Sequence, residues 1–170
     1  IWYFGNDGKP KVFMGSPDWM RRNLYRRIEA VTPILSPDLL YVLANMGHGD
    51  EIIIADGSFP ADSSTDRLIR CDGHGVPEVL EAVLQLLPLD DFVDHPATLM
   101  KVVPGKFDQT PPIWAEYRRI LDASGEPYND FEYMERFDFY ERAKHAYAIV
   151  ATSETSLFAN IILKKGTVRL

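Results

Sequence analysis

Cysteine is almost missing: Cys71 stands alone in 170 residues. No disulfide can form within the chain, and a reducing, cytoplasmic setting fits. Long hydrophobic runs are missing too, which excludes a membrane-spanning helix, and the first residues lack the layout of a secretory leader. Positive charge is in deficit, with 18 Lys and Arg against 25 Asp and Glu for a net −7. That balance argues against nucleic acid or an anionic membrane as the main partner. Glycine-rich phosphate loops, zinc-ligand spacings and serine nucleophile corners are absent, so no metal or cofactor is signalled.

What is present is enough apolar residue, 46% of the chain, for one ordinary core. Charge divides it unevenly. Residues 1–33 hold six Lys or Arg against three Asp or Glu, and residues 34–170 hold twelve against 22, so the front is +3 and the remainder −10. The shift predicts two segments of different origin, an appendage over 1–33 and a domain over 34–170.

The domain is organised around Met46 to Asp56. Ser36-Pro37-Asp38 starts a helix, with a serine cap, proline at the first helical position and an acid facing the helix dipole. Leu39, Leu40, Leu43 and Met46 form its apolar face, and Gly47 stops it. His48 follows directly between two glycines, then Ile52, Ile53 and Ile54 read as a strand buried on both faces. Asp56 falls where that strand ends, the position at which open α/β sheets collect ligands. An ordinary histidine titrates near neutrality, which suits proton transfer. Spacing alone leaves open the alternative of a turn histidine bonded to a backbone carbonyl.

The loop from Gly57 to Ser64 follows the strand and is placed to shape a pocket. Strands are expected at Arg67–Cys71, Ala97–Val103, Glu132–Arg136, Ala146–Ala151 and Asn160–Leu163, and helices at Pro77–Leu87, Pro112–Ser124 and Phe137–Lys144. Helices alternating with strands give an α/β class. On these grounds alone Asp90 is a helix-stop residue, Met100 is core filler, and the aromatics of 112–124 are packing. Residues 152–156 read as a connecting loop, and His74, in an Asp-Gly turn with no strand behind it, signals little.

Leu35 to Leu40, Met46 to Asp56, Phe59-Pro60-Ala61, Arg136-Phe137, Phe139 to Ala143 and Asn160 to Gly166 resemble, in order, the fucose mutarotase and ribose pyranase family. Gln109 to Tyr117 is most similar to the fucose mutarotases within it. The resemblance runs from about residue 33 to the C-terminus. It implies a three-layer sandwich with a central mixed sheet flanked by helices, and an isomerase interconverting the α and β anomers of L-fucose. D-ribose, in pyranose and furanose forms, is the family's other sugar. It further implies no cofactor, and a homo-oligomer with active sites at subunit contacts. By the same resemblance His48 is the acid/base, Asp90 assists it, and Asp56, Met100, Arg136, Tyr140 and Phe158-Ala159-Asn160 hold the sugar. The family usually carries tyrosine where this chain has Phe158, so one hydroxyl is missing.

The front segment is expected to hold strands at Trp2–Phe4 and Lys11–Met14 and a helix opened by Ser16-Pro17-Asp18 that carries Trp19, Met20, Asn23, Leu24 and Ile28. Arg21, Arg22, Arg26 and Arg27 make its other side basic. Tyr3 to Asn6 and Ser16 to Glu29 resemble the last part of polyphosphate kinases. Those work through a phosphohistidine, and residues 1–33 contain no histidine, so kinase activity is not implied. Ile1 is not an initiator methionine, and the chain reads as a fragment, a fusion or an assembled sequence. Two further readings stay open: a sugar-binding or assembly module without turnover, hinted at by Phe158, and a phosphate or polyphosphate binder using the arginine-rich front.

Overall fold

The computed structural model describes residues 34–105, 107 and 109–168, together with the backbone of 2–4, 11–14 and 28–30. The first strands, β1 (Trp2–Phe4), β2 (Lys11–Met14) and β3 (Ile28–Ala30), form an antiparallel meander in that order. Ile28, expected on a helix, is instead strand, paired with Met14. A β-branched residue suits that pairing better than a helix end. The arginines expected to form a basic face lie outside the described residues.

The main sheet has six strands: β4 (Glu51–Ala55), β5 (Leu68–Cys71), β6 (Ala97–Met100), β7 (Glu132–Met134), β8 (Ala148–Thr152) and β9 (Ile161–Lys164), ordered β5-β8-β4-β9-β6-β7. Only β9 runs against its neighbours; every other adjacent pair is parallel. The C-terminal ends of β4, β6 and β7 therefore share one end of the sheet with the start of β9.

Among the described residues five helices cover it: α1 (Pro37–Asn45), α2 (Ala61–Ser64), α3 (Val76–Leu84), α4 (Pro112–Ser124) and α5 (Arg136–Ala143). Alternation along β4 separates the two faces. Ile52 and Ile54 pack with the apolar sides of α1, α3 and α4, while Ile53 and Ala55 pack with Phe59, Ala61, Phe139 and Ala143 around α2 and α5. The result is a three-layer α/β sandwich with a mixed central sheet, as the sequence leads one to expect.

Two strands are shorter than the expected Ala97–Val103 and Glu132–Arg136. β6 stops at Met100 and β7 at Met134 because the two run side by side only to the Met100–Met134 pair, and β9 has by then left the ladder. Arg136 therefore begins α5 instead of ending a strand. No helix among the described residues is long and apolar enough to cross a membrane.

Candidate active site

At the shared strand end lies a cavity of about 290 Å³ lined by Asp56, Ser58, Phe59, Met100, Val103, Phe107, Arg136, Tyr140, Leu157, Phe158 and Asn160. Four backbone segments reach it because the topology makes them neighbours: the ends of β4 and β6, the start of α5 and the approach to β9. Arg136 and Tyr140, one helical turn apart on α5, point into the same space. Phe59 packs edge-on to Phe139 at 6.2 Å and tilted against Tyr140 at 5.6 Å, which gives the cavity an aromatic wall.

Asp56 is buried and closely held. Its carboxylate accepts from the Ser58 N–H at 2.9 Å and from the Asn160 side-chain amide at 2.8 Å. Burial pushes its pKa above the ordinary carboxylate range, against the N–H groups of Ser58, Phe59 and Ala159 and the Asn160 amide, which favour the charged form.

The other group of candidates is at the opposite end of β4. Ser36 caps α1 by accepting from the Leu39 N–H at 3.2 Å, and the helix ends at Met46. Residues 47–50 then turn sharply: the Asp50 carboxylate accepts from the Gly47 N–H at 2.7 Å, and Gly49 adopts φ +85°. His48 stands at the tip. Its Nε2 lies 3.1 Å from Asp90 Oδ1, with the imidazole half exposed and the carboxylate buried. Asp90 is fixed there because its N–H donates to the Lys164 carbonyl at the end of β9, and its carboxylate also accepts from the Phe92 N–H at 3.0 Å. Burial alone would raise the Asp90 pKa, yet the Phe92 N–H and His48 outweigh it and hold the group below its ordinary value. Asp90 therefore accepts as a carboxylate, which favours the His48 tautomer with its hydrogen on Nε2. The Phe92 ring sits edge-on to His48 at 5.7 Å and is 76% exposed.

Eight of the nine residues singled out from the sequence thus form two groups. Asp56, Met100, Arg136, Tyr140, Phe158 and Asn160 line the cavity; His48 and Asp90 pair elsewhere. At about 3.3 Å per residue, the five residues of β4 hold the two groups roughly 16 Å apart. Ala159 belongs to neither, because its side chain is fully buried in the core.

Sequence reasoning missed Val103, Phe107 and Leu157, which reach the cavity from loops where no periodicity marks an inward side chain. It also missed how the site is braced. The Trp114 indole donates to the Phe158 carbonyl at 2.8 Å and the Tyr117 hydroxyl to the Ala159 carbonyl at 2.6 Å. Arg142, on α5 with Arg136 and Tyr140, makes two bonds to Glu51 at 2.7 and 2.9 Å and one to Glu132 at 2.6 Å, pinning that helix to β4 and β7. Burial would raise the pKa of Glu51, but Arg142 and Lys164 together hold it down. Residues 152–156, read as a plain connection, include Glu154, which accepts from the N–H groups of Val76 at the start of α3 and of Thr155 and Ser156.

The sequence profile described as RbsD / FucU transport protein family matches residues 30–168. A second profile, polyphosphate kinase C-terminal domain 2, matches residues 1–54. The chain is 50% identical over 148 residues to fucose mutarotase of Homo sapiens, spanning 84% of this chain and 96% of that protein. It is 42% identical over 139 residues to L-fucose mutarotase of Actinobacillus pleuropneumoniae, spanning 82% and 96%. Among solved structures, the fucose mutarotase in complex with L-fucose from Streptococcus pneumoniae superposes with a TM-score of 0.74 at 51% identity, over 81% of this chain and 96% of that one.

Proposed function

The chain belongs to the RbsD / FucU transport protein family, and from that membership we propose that it is a mutarotase interconverting the α and β anomers of L-fucose. The observation that carries the reading is the polar-and-aromatic cavity of about 290 Å³ in a chain half identical to fucose mutarotases.

Mutarotation is a proton problem. The anomeric hydroxyl loses a proton, the ring oxygen gains one, and the bond between C1 and the ring oxygen breaks. The open aldehyde then rotates and recloses with the protons returned. Nothing is oxidised or reduced, and no proton is consumed. In our reading Asp56 and Asn160 take sugar hydroxyls, Arg136 and Tyr140 add charged and neutral donors, and Phe59, Met100 and Phe158 face the ring's apolar side and methyl group. His48 moves the protons through Nδ1 while Asp90 keeps the imidazole in the required tautomer. Ala159 contributes only backbone.

One chain cannot bring its own His48 to its own cavity across the length of β4. We therefore propose that the site is composite. The His48–Asp90 end of one copy seats against the cavity end of a second, a head-to-tail contact that closes into a ring when the rotation permits. Exposed apolar residues at both ends support the contact: Phe92 beside the histidine, and Leu157, 64% exposed, on the cavity rim. Fucose is preferred to ribose on the strength of the identity to fucose mutarotases. The boundary between appendage and domain is placed at residues 33 and 34, supported by the charge shift there and by the start of α1 at Pro37. A reducing, cytoplasmic location suits the buried free thiol of Cys71.

Saturation-transfer NMR tests the activity. The wild type is expected to exchange magnetisation between α- and β-L-fucose, and His48→Ala to fall to the uncatalysed rate. Equal exchange in both proteins would remove His48 from the mechanism.

A further inference from the structure

Resting on the mutarotase reading of the cavity, we propose that Tyr117 and Trp114 are positioning residues for it. They clamp two successive carbonyls so that Phe158 stays a wall of the pocket and the Ala159–Asn160 peptide keeps hold of Asp56.

Neither residue lines the cavity. Tyr117 is fully buried and Trp114 nearly so, and both belong to the core between α4 and the sheet. Packing would be served by phenylalanine at either position. A phenolic hydroxyl in that core costs free energy unless it is bonded, and the bond it makes is short, 2.6 Å to the Ala159 carbonyl. Three residues earlier on the same helix, the Trp114 indole reaches the Phe158 carbonyl at 2.8 Å. Two donors on one helix face thus hold two neighbouring peptides.

What they hold is strained. Phe158 has φ +58°, the one non-glycine residue with positive φ among those described. A bulky side chain adopts that conformation at a cost, and it persists where its surroundings over-determine it. The left-handed turn at Phe158 directs its ring against Phe107, at 5.3 Å, and into the cavity. It also aims the Ala159 N–H at the Asp56 carboxyl group, while Asn160 engages both the backbone and the carboxylate of Asp56. Releasing the carbonyls lets Phe158 relax, and Asp56 then loses the geometry that receives a sugar hydroxyl. Burial, with Glu154 and Asp56 adding to it, pushes the Tyr117 pKa far upward, so the hydroxyl remains a donor at every working pH.

The test uses Tyr117→Phe and Trp114→Phe in the full oligomeric chain, with two readouts: amide hydrogen exchange by residue, and KM and kcat for L-fucose from anomer exchange. Exchange at residues 157–160 is expected to rise roughly tenfold with protection of β4 unchanged, and KM to rise roughly fivefold with an unaltered pH profile of kcat. Unchanged protection at 157–160 would overturn the proposal. So would a loss of protection spread evenly over β4 and β8, or a wild-type KM in a variant whose 157–160 segment has loosened. A wild type that does not turn over L-fucose would remove the mutarotase reading, and the exchange pattern would still decide whether the clamp exists.

Discussion

Asp56 and Asn160, 104 residues apart in sequence, are joined twice. The Asp56 N–H donates to Asn160 Oδ1 at 2.9 Å, and the Asn160 amide donates to Asp56 Oδ2 at 2.8 Å. The pair ties the exit of β4 to the entrance of β9, the antiparallel strand beside it. It fixes the carboxylate at the point where the sheet changes direction, and the consequences reach both stability and binding.

The first prediction concerns pH. The folded protein binds the Asp56 proton more tightly than the unfolded chain does, because burial raises its pKa. Its stabilising contribution is therefore complete below the ordinary aspartate value and is lost as pH rises through the raised one. Asp90 and Glu51, whose values are lowered, act with the opposite sign. Urea unfolding of wild type and Asp56→Asn at one protein concentration isolates the contribution of Asp56: the stability difference, wild type minus variant, should fall with rising pH across that window.

Adding the hydroxyl that the family resemblance leads one to expect at position 158 should tighten sugar binding. Phe158 lines the cavity, so in Phe158→Tyr the new hydroxyl reaches toward bound sugar, a gain of about 1 kcal/mol or roughly fivefold in affinity. Calorimetry with L-fucose measures it. Equal affinity in the two proteins would show that the hydroxyl finds no partner.

Gly166 allows no side chain. A Cβ there would lie 2.2 Å from the Leu89 carbonyl oxygen and 2.9 Å from the Asp90 Cα. Gly166→Ala should destabilise the protein by about 1–3 kcal/mol through overpacking, and displace Asp90 from His48. Gly47→Ala, whose Cβ comes no closer than 3.6 Å to the Asp50 carboxylate, serves as the control and should change stability little. Denaturant midpoints of the two variants provide the comparison.

Much of this architecture was legible because period and punctuation agreed. Ser36-Pro37-Asp38 announced α1, the isoleucine run announced β4, and its full burial on both faces is what an unalternating run means. The strand end at Asp56 was legible for the same reason. The partnership of Asp90 with His48 came from the family resemblance and not from spacing, since it depends on Asp90 sitting beside the end of β9, and sequence spacing carries no trace of that ladder. Trp114 and Tyr117 read as packing because their spacing is that of any apolar helix face; their polar atoms are aimed at a loop more than 40 residues away. The separation of His48 from Asp56 was implicit in the reading of β4, which set the histidine before the strand and the aspartate at its end. What spacing did not show is that Met100, Arg136, Tyr140, Phe158 and Asn160 gather with Asp56 at one cavity.

The composite site is tested most directly by mixing two inactive chains. His48→Ala retains an intact cavity and Asp56→Ala an intact histidine, so each alone should leave anomer exchange of L-fucose near the uncatalysed rate. Unfolded and reassembled together in equal amounts, they should regain roughly a quarter of wild-type exchange, because that share of head-to-tail contacts joins a sound histidine to a sound cavity. Mixed oligomers with no more exchange than either parent would contradict the account.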